Sequence, residues 1–276
     1  MRAISTRPAP ETAAGTADAV SHAPPQSVSA APTGSVLPTL RFLWPETPAE
    51  FNALAADRVA AALRKQDAVL ALPTGRTPLG LYAALRARAA AGEVSFSQAR
   101  LFDLDEYVGL GATHSLSYAR YMRTELLDPV GASGHNVRLL RGDAPDLAAE
   151  CRAYEEAIAR AGGIDLAILG LGDNGHIAFN EPGTPWDSPT HVAALSARTR
   201  EVNQPVAGAV IPTHGLTMGV ATIRQARAIL LLVAGAAKQA ALAALRRGMP
   251  DPRWPVTGLI GHADVTVICE ARLREP

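Results

Sequence analysis

The chain has 276 residues, 48% of them apolar and 19% charged, which is enough for one large domain or two small ones. Lys plus Arg number 26 and Asp plus Glu number 26, so the formal net charge is zero and the basic excess of a typical nucleic-acid binder is missing. No charge-free run of about 18 apolar residues is present to span a membrane. The two cysteines, Cys151 and Cys269, form no CxxC pair, which speaks against a disulfide scaffold or a cysteine-rich zinc module and for a soluble cytoplasmic protein.

Residues 1–39 hold six of the 21 prolines and only four charged residues, and the rest is mostly Ala, Ser and Thr. Such a segment cannot bury enough apolar surface to offset its ordering entropy, so a disordered extension is expected ahead of a domain over 40–276. It also lacks the continuous apolar stretch of a secretory signal. From Leu40 the pattern changes. Thr47-Pro48-Ala49-Glu50 opens a helix predicted to run to about Lys65, with Thr47 as its cap and Pro48 in the first turn. Residues 68–72 read as a buried strand, 78–91 as a helix stopping near Gly92, and 99–102 as a second strand. Helices follow over 116–127 and 146–161, then a strand at 165–169. A strand at 228–233, a helix at 236–247 and a strand at 265–268 complete the series. Strands alternating with helices predict an α/β fold with a mostly parallel sheet and helices on both faces. Ligands in such folds lie at the carboxyl ends of strands.

Three strand ends carry polar clusters. In LPTGRTPLGLY, residues 72–82, a Thr/Gly loop leads into a helix. Backbone N–H groups, the hydroxyls of Thr74 and Thr77 and the charge of Arg76 make an anion site there, and an ordinary capped turn is the plainer reading. In FDLDEYVGL, residues 102–110, three carboxylates fall within four positions: Asp103, Asp105 and Glu106. Buried together they would repel and hold protons more tightly, which suits a general base; a solvated acidic turn and a magnesium site are the other readings. In ILGLGDNGHIAFNEP, residues 168–182, Gly170, Gly172 and Gly175 precede His176, with Asn174, Asn180 and Glu181 close by. The glycines would let the chain pass near a ligand. Although GxGxxG matches formally, Pro182 falls where a dinucleotide-binding helix should continue. HxxxxE is not a zinc spacing, so acid–base chemistry is favoured over a metal.

Taken in this order and spacing, LPTGRTPLGLY, FDLDEYVGL and GLGDNGHIAFNEPGT resemble the glucosamine-6-phosphate deaminase family. TMGVATI at 217–223, AGAAKQAALAAL at 234–245 and RWPVTGL at 253–259 extend the resemblance over about residues 40–272. The sister 6-phosphogluconolactonases typically carry Asp-Glu-Arg in place of Asp-Glu-Tyr and a different loop after the Gly-His pair. The resemblance implies a Rossmann-like three-layer sandwich that converts glucosamine 6-phosphate and water to fructose 6-phosphate and ammonia, with no metal and no organic cofactor. It implies Asp105 as the base that moves a proton from C2 to C1. His176 would be the ring-opening shuttle, Glu181 the carboxylate that fixes its tautomer, and Asn174 an orienting group. Thr74, Gly75, Arg76, Thr77 and Lys238 would hold the 6-phosphate.

Two departures stand out. Many family members have Gly where Arg76 stands, and many have a phosphate-binding arginine shortly after the residue matching Asn203. Here Asn203-Gln204-Pro205-Val206-Ala207-Gly208 follows, with no arginine. Either Arg76 replaces it, or the phosphate is held weakly, or the substrate differs. The stretch His191-Val192-Ala193-Ala194 also lacks the basic residues of allosteric hexameric members. That predicts a shorter, non-allosteric monomer or small homo-oligomer that acts on a small-molecule amino-sugar phosphate and binds neither nucleic acid nor membrane. A related isomerase or lactonase, and a non-catalytic sugar-phosphate sensor, are the competing readings.

Overall fold

The computed structural model describes residues 40–204 and 210–274. The extension expected over 1–39, and the Pro205–Gly208 stretch where the family arginine is missing, lie outside the described residues. In chain order the elements are β1 (Arg41–Leu43), α1 (Pro48–Leu63), β2 (Val69–Leu72), α2 (Leu79–Ala90), β3 (Arg100–Asp103), β4 (Asp105–Tyr107) and α3 (Tyr118–Met122). Then come β5 (Val137–Arg138), α4 (Leu147–Arg160), β6 (Leu166–Gly170), β7 (His191–Ala194), α5 (Ala197–Val202) and β8 (His214–Thr217). The last are α6 (Val220–Arg224), β9 (Ala228–Val233), α7 (Gln239–Arg246) and β10 (Val265–Cys269).

Seven strands form one parallel sheet in the order β1-β10-β9-β6-β2-β3-β5. Alternation along each strand feeds two cores. From β9, Ile229, Leu231 and Val233 enter one core, with Tyr154 and Ile158 of α4 and Leu242 and Leu245 of α7. Leu230 and Leu232 enter the other, with Phe51 and Val59 of α1, Leu81 and Leu85 of α2, and Met122. This is the predicted α/β layering. The capping residues act as expected too: Thr47 Oγ1 accepts from Glu50 N at 3.2 Å, and Asp146 caps α4 by accepting from Ala149 N at 2.9 Å.

Three details differ from the sequence reading. The helix expected over 116–127 is a short α3 that widens into a π-helical turn at Arg123–Leu127. The helix expected from 236 begins as a 3-10 turn, Ala236–Lys238, before α7. A second sheet, antiparallel in the order β4-β8-β7, has no counterpart in the sequence reading. Its strands are three or four residues long and too polar or glycine-containing to show a period. One residue, Leu104, separates β3 from β4, so the acidic cluster spans two strands of two different sheets.

Candidate active site

The order of the large sheet reverses between β2 and β6: the chain moves outward from β2 through β3 and β5, then crosses back to β6, β9 and β10. Loops leaving strands on either side of such a point splay apart and leave a crevice. A cleft of about 790 Å³ occupies it, lined by the segments that follow β2, β3, β6 and β9. Seven of the nine residues singled out in the sequence line this cleft: Thr74, Gly75, Arg76, Thr77, Asp105, His176 and Lys238. Asn174 and Glu181 stand behind His176.

The parallel register places Leu72 beside Asp103. Two residues further on, Thr74 and Asp105 therefore come side by side, and the Thr74 hydroxyl donates to Asp105 Oδ1 at 3.4 Å. Asp105 opens β4, opposite Thr217 of β8, and is only 6% exposed. Burial raises its pKa to about 8, the neighbouring charge of Glu106 adds to the rise, and the Thr74 bond opposes it. Crowding of three carboxylates is the cause that the sequence suggests; desolvation is the larger one. The three also point different ways. Asp103 is fully buried, and its Oδ1 accepts from Leu140 N at 3.0 Å and Tyr154 Oη at 3.1 Å, in support of the loop. Glu106, one residue along the pleat from Asp105, faces away from the cleft toward α3.

His176 is held from one side. Its Nδ1 lies 2.7 Å from Asn174 Oδ1, and Asn174 Nδ2 donates to Glu181 Oε2 at 2.8 Å. The direct His176–Glu181 contact expected from the sequence is not made: Asn174 sits between them. The reason is the tight turn at Gly172–Gly175, which folds Asn174 back under the imidazole while Glu181 is drawn outward to accept from Ser196 N at 3.1 Å. The glycines act here through the histidine rather than through a ligand. A Cβ on Gly172 would collide with the His176 ring, and Gly175 has a φ of +85° with the ring and Cα of Trp254 close against it. Burial lowers the His176 pKa, and Lys238 lowers it further, while Glu181 and Asp173 act in the opposite sense. The ring is thus neutral at pH 7 and able to take up a proton.

Two cations, Arg76 and Lys238, also line the cleft. The Arg76 side chain is exposed in the cleft wall, with no hydrogen bond or ion pair among the described residues. Burial and the nearby charges of Arg76 and Arg198 lower the Lys238 pKa, against the pull of Asp173. The sequence reading missed Asp173 and Arg198. Burial works against the Asp173 charge, but the 2.8 Å bond from Arg198 Nε, with Lys238 and His176 nearby, holds its pKa below the usual value. It also missed an aromatic wall. Tyr107, Tyr118 and Phe179 pack with centroids 4.7 to 5.7 Å apart along the cleft, and Asn203 Nδ2 donates to Tyr118 Oη at 3.4 Å. Period two along β4 was the available signal, since it puts Tyr107 on the face of Asp105. Among the described residues no three His, Cys, Asp or Glu side chains are grouped to hold a metal ion, and no helix is long and apolar enough to cross a membrane.

Known proteins resemble this chain in sequence and fold. Glucosamine-6-phosphate deaminase of Lysinibacillus sphaericus is 43% identical over 207 residues, 74% of this chain and 87% of that protein. The glucosamine-6-phosphate deaminase of Mycolicibacterium smegmatis is 44% identical over 227 residues, 81% of this chain and 87% of that protein. Among solved structures, a monomeric glucosamine-6-phosphate deaminase of the NagB superfamily superposes with a TM-score of 0.83 at 36% identity, covering 85% of this chain and 99% of that one. A 6-phosphogluconolactonase from Thermotoga maritima, at 20% identity and a TM-score of 0.68, shares the fold. The model of the glucosamine-6-phosphate isomerases/6-phosphogluconolactonase family matches residues 46–268, and the chain belongs to that family.

Proposed function

We propose that this enzyme converts glucosamine 6-phosphate and water to fructose 6-phosphate and ammonia. The observation that carries the reading is one cleft holding a buried carboxylate with raised proton affinity, a neutral histidine backed by an amide and a carboxylate, and two cations, Arg76 and Lys238. The phosphate sits against Arg76, Lys238 and the N–H groups of the Gly75–Thr77 loop. The sugar lies against Tyr107, Tyr118 and Phe179. His176 carries the proton that opens the ring: O5 gains it as the C1–O5 bond breaks and the C1 hydroxyl loses one to leave the aldehyde. Asn174 accepts from Nδ1 and leaves Nε2 to face the sugar, and Glu181 fixes the Asn174 amide by accepting from it.

Asp105 then removes the C2 proton and delivers it to C1 on the same face, while the C1 oxygen gains the proton that the C2 nitrogen gives up, so the C1 aldehyde and C2 amine become a C1 alcohol and a C2 imine. Water adds to the imine carbon and ammonia leaves, giving the ketose. A carboxylate with a pKa near 8 is a strong enough base for this, provided it is ionised when substrate binds. The substrate supplies the condition, because its C2 ammonium favours the charged form of Asp105. The Thr74 hydroxyl donates to the same oxygen pair and keeps it aimed. The enzyme works as a monomer or small homo-oligomer, in line with the deaminase of similar structure that is described as monomeric.

The test is joint measurement of ammonia and fructose 6-phosphate from glucosamine 6-phosphate, beside the N-acetyl and galacto analogues and a 6-phosphogluconolactone. Equal amounts of ammonia and ketose from glucosamine 6-phosphate alone support the reading. Lactone hydrolysis without ammonia, or tight binding of the sugar phosphate without turnover, would end it.

A further inference from the structure

Glu106 does not itself line the cleft, yet it is 1% exposed and accepts four hydrogen bonds, three of them from the cleft-lining residues Tyr107, Ser117 and Tyr118. Oε1 accepts from Tyr107 N at 2.7 Å and Tyr118 N at 3.0 Å, and Oε2 from Ser117 Oγ at 2.6 Å and Ala119 N at 2.9 Å. Four donors converging on two oxygens fix the side chain in place and give each oxygen two partners. Three of those donors form the start of α3. That helix carries Tyr118 into the cleft wall, and one turn later Tyr121 Oη donates to Gly75 O at 2.6 Å. A single buried side chain therefore links the strand of Asp105, the aromatic wall and the loop at the phosphate end.

We propose that Glu106 is a positioning residue of the reaction: it locks the first turn of α3 onto β4 and sets its own carboxylate next in the chain to the one that moves the proton. This rests on Asp105 as the base. The groups around Asp105 are all acidic or neutral. Besides Glu106, they are Asp103 at the end of β3, Tyr107 on β4, Tyr82 on α2, Tyr118 on α3 and Tyr154 on α4. Glu106 is the charged neighbour that adds to the effect of burial on Asp105. No cation among the described residues offsets it. The arrangement keeps the proton affinity of the base high without placing a second carboxylate where the substrate amine would find it.

Glu106→Gln removes the charge and keeps the length. The acid limb of kcat/KM should move down by about one pH unit or more, since a like charge at such range shifts a carboxylate by about that much. Ser117→Ala removes one of the four bonds and leaves the charge, so kcat should fall while the acid limb stays at the wild-type pH. A folded, active Glu106→Gln with an unmoved acid limb would overturn the proposal. So would a Ser117→Ala enzyme with wild-type kcat, and this arm stands alone if Glu106→Gln does not fold. Asp105→Asn separates the two layers: if it stays active, the base is misassigned and the underlying reading fails, whatever Glu106 does.

Discussion

In β9 the side chains alternate between two apolar cores, Ile229, Leu231 and Val233 to one and Leu230 and Leu232 to the other, and none of them reaches the cleft. In β4 the residues are just as buried, but they are Asp105, Glu106 and Tyr107, and two of the three line the cleft. The large sheet gains stability from burial and supplies strand ends at fixed positions. The small sheet gives up stability, holding two carboxylates out of water, and gains a base with a useful proton affinity. The energy that keeps β4 in place comes from its neighbours: Thr217 and Leu216 of β8 across the ladder, and the bonds of Glu106 to α3. Stability and chemistry are thus assigned to different sheets, and substitutions in the two should fail in opposite ways.

The largest effect belongs to Asp105→Asn. Loss of a general base costs roughly 10²–10⁴-fold in rate, with substrate binding retained because the shape is kept. Wild-type exchange of the C2 proton with solvent would refute the assignment. The same variant should be more stable than wild type at neutral and mildly alkaline pH. Asp105 keeps its proton up to about pH 8 in the folded chain, whereas an unfolded aspartate loses it near pH 4. Between these values unfolding releases a proton, so this residue lowers stability as pH rises, by up to about 1.4 kcal/mol per unit. Asparagine has no proton to lose. Urea unfolding at pH 5 and pH 8 should show the variant gaining on wild type at the higher pH. A loss at pH 8 would mean the folded chain stabilises the carboxylate.

Leu230→Ala probes the other sheet. Leu230 is fully buried in a central strand, and removing most of a leucine from such a site costs about 2–5 kcal/mol. KM and the pH profile should not move at temperatures where the variant is folded. A changed pH profile would mean that the two sheets do not divide the work as their residues indicate.

How much of this could be read from the sequence follows the same division. Five of the seven strands of the large sheet announce themselves as apolar runs, while the short edge strands β1 and β5 do not, and the element order fixes the fold class. Strand ends then point to the loops that matter, which is why Asp105, His176 and Lys238 are found in one cleft. The small sheet left no such mark. β4 is three polar or aromatic residues and β8 contains Gly215, whose missing side chain makes room for the Phe179 ring. The relay behind His176 was legible in its members but not in its order. The sequence puts Asn174 and Glu181 near the histidine, and only the turn through Gly172 and Gly175 decides which of them touches the ring. Asp173 and Arg198 were overlooked because their pairing joins residues 25 positions apart.

Arg76→Gly tests an exposed residue of the cleft rather than a buried one. The Arg76 side chain has no partner among the described residues, and its charge bears on Lys238. Two cations converging on open space are costly unless an anion joins them. A guanidinium on a phosphate is worth about 1.5–3 kcal/mol, so KM for glucosamine 6-phosphate should rise roughly ten- to a hundredfold. The Ki of inorganic phosphate should rise in parallel, and kcat should change less. If neither constant moves, Arg76 faces solvent and Lys238 holds the phosphate with the loop N–H groups alone.

Asn174→Asp should have the smallest effect on rate and the most informative one on charge. The amide at 174 now donates to Glu181 Oε2 at 2.8 Å and accepts from His176 Nδ1 at 2.7 Å. An aspartate there keeps the acceptor for the imidazole but meets Glu181 carboxylate to carboxylate. Two carboxylates that close do not both ionise, so the pair takes up one proton and the bridge survives as a shared hydrogen bond. Orientation of His176 is kept, and kcat should stay within about tenfold, the scale of a modest hydrogen-bond change. The negative charge now nearer the ring opposes the burial that lowers the His176 pKa. Titration of the His176 ring protons by NMR should therefore give a higher pKa in the variant than in wild type. An unchanged titration would show that the introduced carboxylate has turned away from the imidazole, and complete loss of activity would show that the reaction needs the amide itself.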